Sequence, residues 1–174
     1  MIMNIISRNA FTLLDVVQVS GYELNLNSDY DGKSTFVVVK KPIADDEDDF
    51  IIFRDNGIVF CGIIGTIENE YGSESYTITA IEMARLFDRK IILTNTELLE
   101  TGIEDFIANQ IADNFISSDD ELLNIAYLTV TAKSHTPVAA KPENENGIYN
   151  LCTYIGNALT TYGIFIDFEF TKTG

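Results

Sequence analysis

Few residues in this chain could serve a histidine- or cysteine-based active site: one histidine, His135, and two cysteines, Cys61 and Cys152. A Ser-His-Asp or Cys-His arrangement needs an imidazole beside its nucleophile. His135 stands in Lys133-Ser-His-Thr-Pro137, a polar loop pattern in which an exposed histidine needs no catalytic explanation. Zinc asks for three or four nitrogen, sulfur or carboxylate ligands at suitable spacing. One histidine and two distant cysteines do not supply them. Cys152 falls near the start of a predicted helix, where a thiol pKa drops, yet also on the margin of an apolar face, which predicts burial. Neither cysteine belongs to a C-x-x-C pair, so both read as thiols of a protein made in a reducing cytoplasm.

Oxygen ligands are plentiful, and they need more care. Asn27-x-Asp29-x-Asp31-Gly32 matches the first half of an EF-hand loop, with oxygens at alternate positions and glycine at the sixth. The twelfth position, which should hold a bidentate glutamate, is Val38, and strands rather than helices are predicted on either side. A solvated hairpin loop is the expectation, with weak calcium binding as the alternative. Asp45-Asp-Glu-Asp-Asp49 reads in the same way as a solvated acidic loop. With 27 acidic residues, close carboxylate pairs arise in any fold, and glycoside hydrolysis would further need a cleft of set width. Gly62-Ile-Ile-Gly65 lacks the lysine and hydroxyl of a phosphate loop. The expectation is therefore no catalytic residue, no cofactor and no metal centre. That makes a structural or binding protein, not an enzyme.

Two textures follow one another along the chain. From Phe11 to about Leu93 the pattern is strands and turns. Tyr22, Leu24 and Leu26 alternate with polar residues, the period-two signature of a half-buried strand. Thr35 to Val39 is a β-branched run. Phe50 to Phe53 and Ile58 to Ile67 flank Arg54-Asp-Asn-Gly57, and Asn-Gly supplies the positive φ angles of a tight hairpin. Gly62 and Gly65 in the second arm predict a bulge or a barrel corner. Tyr76 to Ala80 alternates again, and Ile81 to Phe87 is a short helical segment. Short strands joined by turns predict a small barrel or a sandwich, here a β-barrel-like domain over residues 1–95.

Residues 96–174 read as a compact α/β domain, which makes the whole chain α+β. Thr101-Gly-Ile-Glu104 has the form of a capping box, opening a helix with Ile103, Phe106, Ile107, Ile111 and Phe115 on one face. Leu128 to Ala132 is a predicted strand, followed by a polar loop from Lys133 to Gly147. A second helix carries Leu151, Ile155, Ala158, Leu159 and Tyr162 and stops at Gly163. Ile164, Ile166, Phe168 and Phe170 form the inward face of a closing strand.

Charge narrows the partners. Eleven basic and 27 acidic residues leave −16, with no basic patch to hold phosphates or an anionic membrane. The apolar start, Met1 to Ile6, has no basic lead and is too short for a signal peptide, and no apolar run approaches a membrane span. Neither specific nucleic-acid binding nor membrane insertion is expected. Eight tyrosines, with no tryptophan, offer material for the exposed aromatic platform of a carbohydrate- or receptor-binding β-domain.

One stretch carries a resemblance. Ile51-Ile-Phe-Arg-Asp-Asn-Gly-Ile-Val-Phe-Cys-Gly-Ile-Ile64 reads as strand, turn and a strand with Phe60-x-Gly62-x-Ile64, and Ala84-Arg-Leu-Phe-Asp-Arg-Lys-Ile-Ile92 follows the partner strand. With the helix, strand and helix beyond it, the pattern over residues 10–170 resembles the baseplate- or tail-hub proteins of long-tailed phages. The resemblance implies a virion tail component, assembled in the host cytoplasm, that joins the tail tube to the baseplate. It implies other tail and baseplate proteins as partners and a homotrimeric ring in the assembled tail. Such a barrel is expected to pair its strand edges with neighbouring copies. The family's second barrel has no counterpart after the closing strand, so the expectation is a piece of a longer hub or a reduced relative.

Overall fold

Six strands close on themselves in the computed structural model, which describes residues 1–27, 29–44, 48–69, 71–93, 102–125, 127–133 and 148–170. The strands are β1 (Ile2–Ile6), β2 (Leu13–Glu23), β3 (Ser34–Val38), β4 (Phe50–Asp55), β5 (Ile58–Glu68) and β6 (Tyr76–Glu82). Their order around the barrel is β1-β2-β3-β6-β5-β4, every pairing is antiparallel, and β4 returns to β1. The expected β-barrel is present. Its first strand goes beyond the expectation, in which strands begin at Phe11.

Side-chain alternation fills the inside. Met3, Ile5, Val17, Val19, Phe36, Val38, Ile51, Phe53, Phe60, Ile64, Ile78 and Ala80 form one buried cluster. Phe36 lies between Phe53 and Phe60, with ring centroids 5.0 and 5.5 Å away, and Tyr22 closes on Phe53 at 4.6 Å. A small barrel has room inside for little besides such side chains.

Closure requires bending, and bulges provide it. The register shifts between Ile64 and Thr66, so Gly65 is the bulge in β5, and between Val19 and Gly21, so Ser20 is a bulge in β2. The β4–β5 hairpin turns on Asn56 (φ 45°) and Gly57 (φ 89°), the left-handed pair that a two-residue turn demands. Gly62 faces inward under the Phe60 ring, and a Cβ there would meet that ring at 2.5 Å and the Ile81 carbonyl oxygen at 2.6 Å.

The chain divides into two compact units, Met1–Leu86 with Asp167–Gly174, and Phe87–Ile166. A 3-10 helix, Met83–Arg89, follows β6. In the second unit, β7 (Ile91–Leu93) pairs antiparallel with β8 (Ile148–Asn150). Helix α1 (Ile103–Phe115) buries Ile103, Ile107, Ile111 and Phe115 at four-residue spacing. Helix α2 (Leu151–Tyr162) is capped by the Asn150 side chain, which accepts from the Thr153 N–H at 3.1 Å, and stops at Gly163 with φ 68°. Phe87 meets Phe115 edge-on at 5.1 Å, and Phe106 tilts against Tyr154 at 5.4 Å.

Several expectations are corrected here. Residues 128–132 and 164–170 are not strands, although both alternate. An alternating β-branched run forms a strand only where a ladder partner receives it. The residue that caps α1 is Gly102, without a side-chain hydrogen bond, so Glu104 is not at the capping-box position; Thr101 lies outside the described residues. The buried stripe of α2 includes Cys152, Tyr154 and Gly156, whereas Tyr162 is exposed.

Candidate binding surface

The Asn27 loop is closed by its own side chains. The Asn27 amide donates to Asp31 Oδ1 at 2.7 Å, its oxygen accepts from the Asp31 N–H at 3.2 Å, and its own N–H reaches Glu82 Oε1 at 3.4 Å. Asp29 and Asp31 point to solvent, and Val38, at the twelfth position, is fully buried in the barrel core. A residue committed to that core cannot turn outward to ligate calcium. Among the described residues, no three His, Cys, Asp or Glu side chains gather as a metal site. Burial raises the Glu82 carboxyl above its ordinary range, with the Asn27 N–H holding it partly back.

The acidic loop ends in two residues with structural tasks. Asp48 pairs with the Arg8 guanidinium. Asp49 is fully buried, and its Oδ1 accepts the Arg8 backbone N–H at 2.9 Å while its carbonyl accepts from the Ile64 N–H at 2.8 Å. These bonds fasten the turn after β1 to the start of β4. Residues 45–47 and His135 lie outside the described residues. Elsewhere on the barrel, Asp15 accepts from Lys40 Nζ at 2.8 Å and from the Ile43 N–H at 3.1 Å. Partial burial would raise its carboxyl, but the Lys40 and backbone hydrogen bonds outweigh this and lower it.

The cysteines differ in setting. Cys152 is buried within α2, and Cys61 is half-buried on the outside of β5. The Cys61 thiol donates to the Phe168 carbonyl at 3.6 Å. Burial pushes it up to about 11, with Arg54 opposing the shift and Asp167 adding to it. Such a thiol is the opposite of an activated nucleophile.

What the barrel offers to a partner is its outer wall. The ladder aligns Gln18, Ile2, Arg54 and Val59 across β2, β1, β4 and β5. Ile2 is 56% exposed and Val59 58%, and Val16, two residues from Gln18 on the same side of β2, is 48% exposed. In the adjoining row, Val16-Asn4-Ile52-Cys61, Ile52 is buried. Three exposed apolar side chains thus stand on one wall, with Gln18 and Arg54 among them. Residue types alone do not reveal this row, because it is assembled by register across four strands.

The aromatic-platform alternative finds little on the same unit. Tyr30 is buried, Tyr22 packs on the core with its hydroxyl on Asp55 at 3.2 Å, and Tyr76 packs against the core cluster. Only Tyr71 among the described barrel tyrosines stands fully in solvent.

No helix of the described residues is long and apolar enough to cross a membrane. No family model matches the chain, and neither does any of the curated proteins compared with it.

Proposed function

We propose that this chain is a structural component of a phage or prophage tail tip, a baseplate- or tail-hub protein joining the tail tube to the baseplate. In this reading the barrel is an assembly module and the chain beyond it a compact α/β domain. The observation that carries the proposal is the group of exposed apolar residues Ile2, Val16 and Val59, from two adjoining rows on the outside of a barrel whose interior is occupied by its own side chains. A barrel filled in this way binds through its wall.

The charge supports the same reading. A surface of −16 does not hold DNA, as suits a conduit through which DNA must slide. Partners are then other tail and baseplate proteins, with a homotrimer formed in the assembled tail.

Purified virions provide the test. Cross-linking and mass spectrometry should find this chain in the tail fraction, joined to tail proteins through the β1–β5 wall. An Ile2→Glu, Val59→Glu double variant that keeps its circular dichroism should fail to enter particles. Absence of the chain from virions, or normal incorporation of that variant, would overturn the reading.

A further inference from the structure

One side-chain amide of the barrel has an unshielded backbone nucleophile beside it. Asn56 and Gly57 form the tip of the β4–β5 hairpin, both are exposed, and the space where a Cβ of Gly57 would stand is empty to 4 Å. With no side chain at position 57, the Gly57 backbone nitrogen can reach the Asn56 Cγ once the backbone between them turns. Attack forms the N–Cγ bond of a five-membered succinimide, and the Cγ–Nδ2 bond breaks. The displaced nitrogen leaves as ammonia, taking the proton from the Gly57 nitrogen. Water then opens the ring at either carbonyl. Opening at Cγ gives aspartate. Opening at the backbone carbonyl gives isoaspartate, in which the main chain runs through Cβ and Cγ. Each product gains one negative charge, and water is the only co-reactant.

The closed hairpin does not permit this attack. Asn56 holds φ 45° and Gly57 φ 89°, the left-handed pair of a two-residue turn. In that turn ψ of the first residue is about +30 to +50°, which carries the next nitrogen away from Cβ. Ring closure needs that nitrogen and Cβ on the same side of the Cα–C bond, about half a turn away in ψ. Such a rotation breaks the Asp55–Ile58 pairing that ends the ladder. The Tyr22 hydroxyl strengthens the closed form, because it donates to Asp55 Oδ2 at 3.2 Å beside the turn.

The isoaspartate product resists reclosure. It lengthens the main chain of a two-residue turn by one methylene and abolishes the left-handed α-linkage on which the turn depends. Its free carboxylate also stands next to Asp55 in the chain.

We infer that Asn56 is a modification site of the barrel, converted by its own Gly57 nitrogen only while the β4–β5 turn is open, and that the isoaspartate formed keeps the turn from closing again. The rate of conversion then follows the fraction of molecules with an open turn. The inference rests on the hairpin, not on the tail-hub reading.

Purified protein held in mildly alkaline buffer, native or unfolded in urea, tests this beside a synthetic peptide of residues 54–59. Mass spectrometry of the proteolytic peptide containing Asn56 separates this site from the second Asn-Gly pair, Asn146-Gly147, which lies outside the described residues. The unfolded chain should convert at the rate of the peptide, and the native protein should be slower by about tenfold or more. The native rate should rise with sub-denaturing urea. Native conversion as fast as that of the peptide, or a native rate that urea leaves unchanged, would overturn the inference. Isoaspartate-bearing chains, separated after conversion, should unfold at lower urea than Asn56→Asp, which adds the same charge through an ordinary backbone. Equal midpoints would show that the turn closes over isoaspartate and would overturn the second half of the inference.

Discussion

Substituting Gly62 by alanine should destabilise the barrel by about 2 kcal/mol, whereas the same change at Gly65 should be nearly silent. At position 62 the added methyl would stand 2.6 Å from the Ile81 carbonyl oxygen and 2.5 Å from a Phe60 ring carbon. The carbonyl belongs to the β5–β6 ladder, where Ile63 faces Ile81, so it cannot rotate away. The ring is walled in by Phe36 at 5.5 Å. Overpacking of this kind costs about 1–3 kcal/mol, and here both obstacles are stiff, which places it at the upper end. The narrower unfolded ensemble of alanine returns roughly 0.4–1 kcal/mol. The difference, about 2 kcal/mol, lowers the folded-to-unfolded ratio by a factor of about 30. At Gly65 the nearest atom is the Thr79 carbonyl oxygen at 3.4 Å, an ordinary contact. Urea unfolding of the two variants, followed by far-ultraviolet circular dichroism, compares the midpoints at constant slope. Equal loss at both positions would refute the argument, since the close approach at position 62 would then not set the cost.

The titrating groups give predictions of opposite sign. Glu82 has a raised carboxyl, so its contribution to stability is full below its ordinary 4.5 and is lost as pH rises through the higher folded value. Glu82→Gln, which keeps an acceptor for the Asn27 N–H, should therefore raise the melting temperature at neutral pH, with the gain vanishing in acid. Asp15 has a lowered carboxyl, so its contribution is present above its ordinary 3.8 and is lost as pH falls through the folded value. Asp15→Asn should cost about 0.5 kcal/mol at neutral pH after solvent screening, less in high salt, and nothing in acid, as read by melting curves across a pH series. The rise of Cys61 from 9.0 to about 11 reduces its thiolate about 100-fold at any pH well below both. Iodoacetamide labelling quantified by mass spectrometry should be slower than for a free thiol by about tenfold or more, because the higher-pKa thiolate is itself more nucleophilic and offsets part of that loss.

The barrel was legible where the local sequence fixes the geometry. Asn56-Gly57 could hardly be anything but a tight turn, and Gly65 in an apolar run announced a bulge. The first strand was hidden because Met3 and Ile5 look like any apolar start until Val17 and Phe53 are seen beside them. The same dependence on partners explains the failures in the second half. Leu128 to Ala132 has strong strand composition and forms no strand, while Ile148–Asn150, adjoining a polar loop, pairs with Ile91–Leu93. The segment 164–170 shows the intermediate case. Its alternation correctly named the half-buried side chains, but it joins no ladder among the described residues. The surface row was the least legible of all, because no stretch of sequence contains it.

Closure changes how a barrel of this kind can assemble. The expectation from the resemblance was edge pairing between copies, and a six-stranded barrel with β4 returned to β1 has no edge to give. If copies or partners join this barrel, they must do so through side chains on its wall, where the exposed apolar residues lie on β2, β1 and β5. Wall contacts are individually weak and the chain is strongly anionic, so they cannot overcome repulsion between dilute copies by themselves.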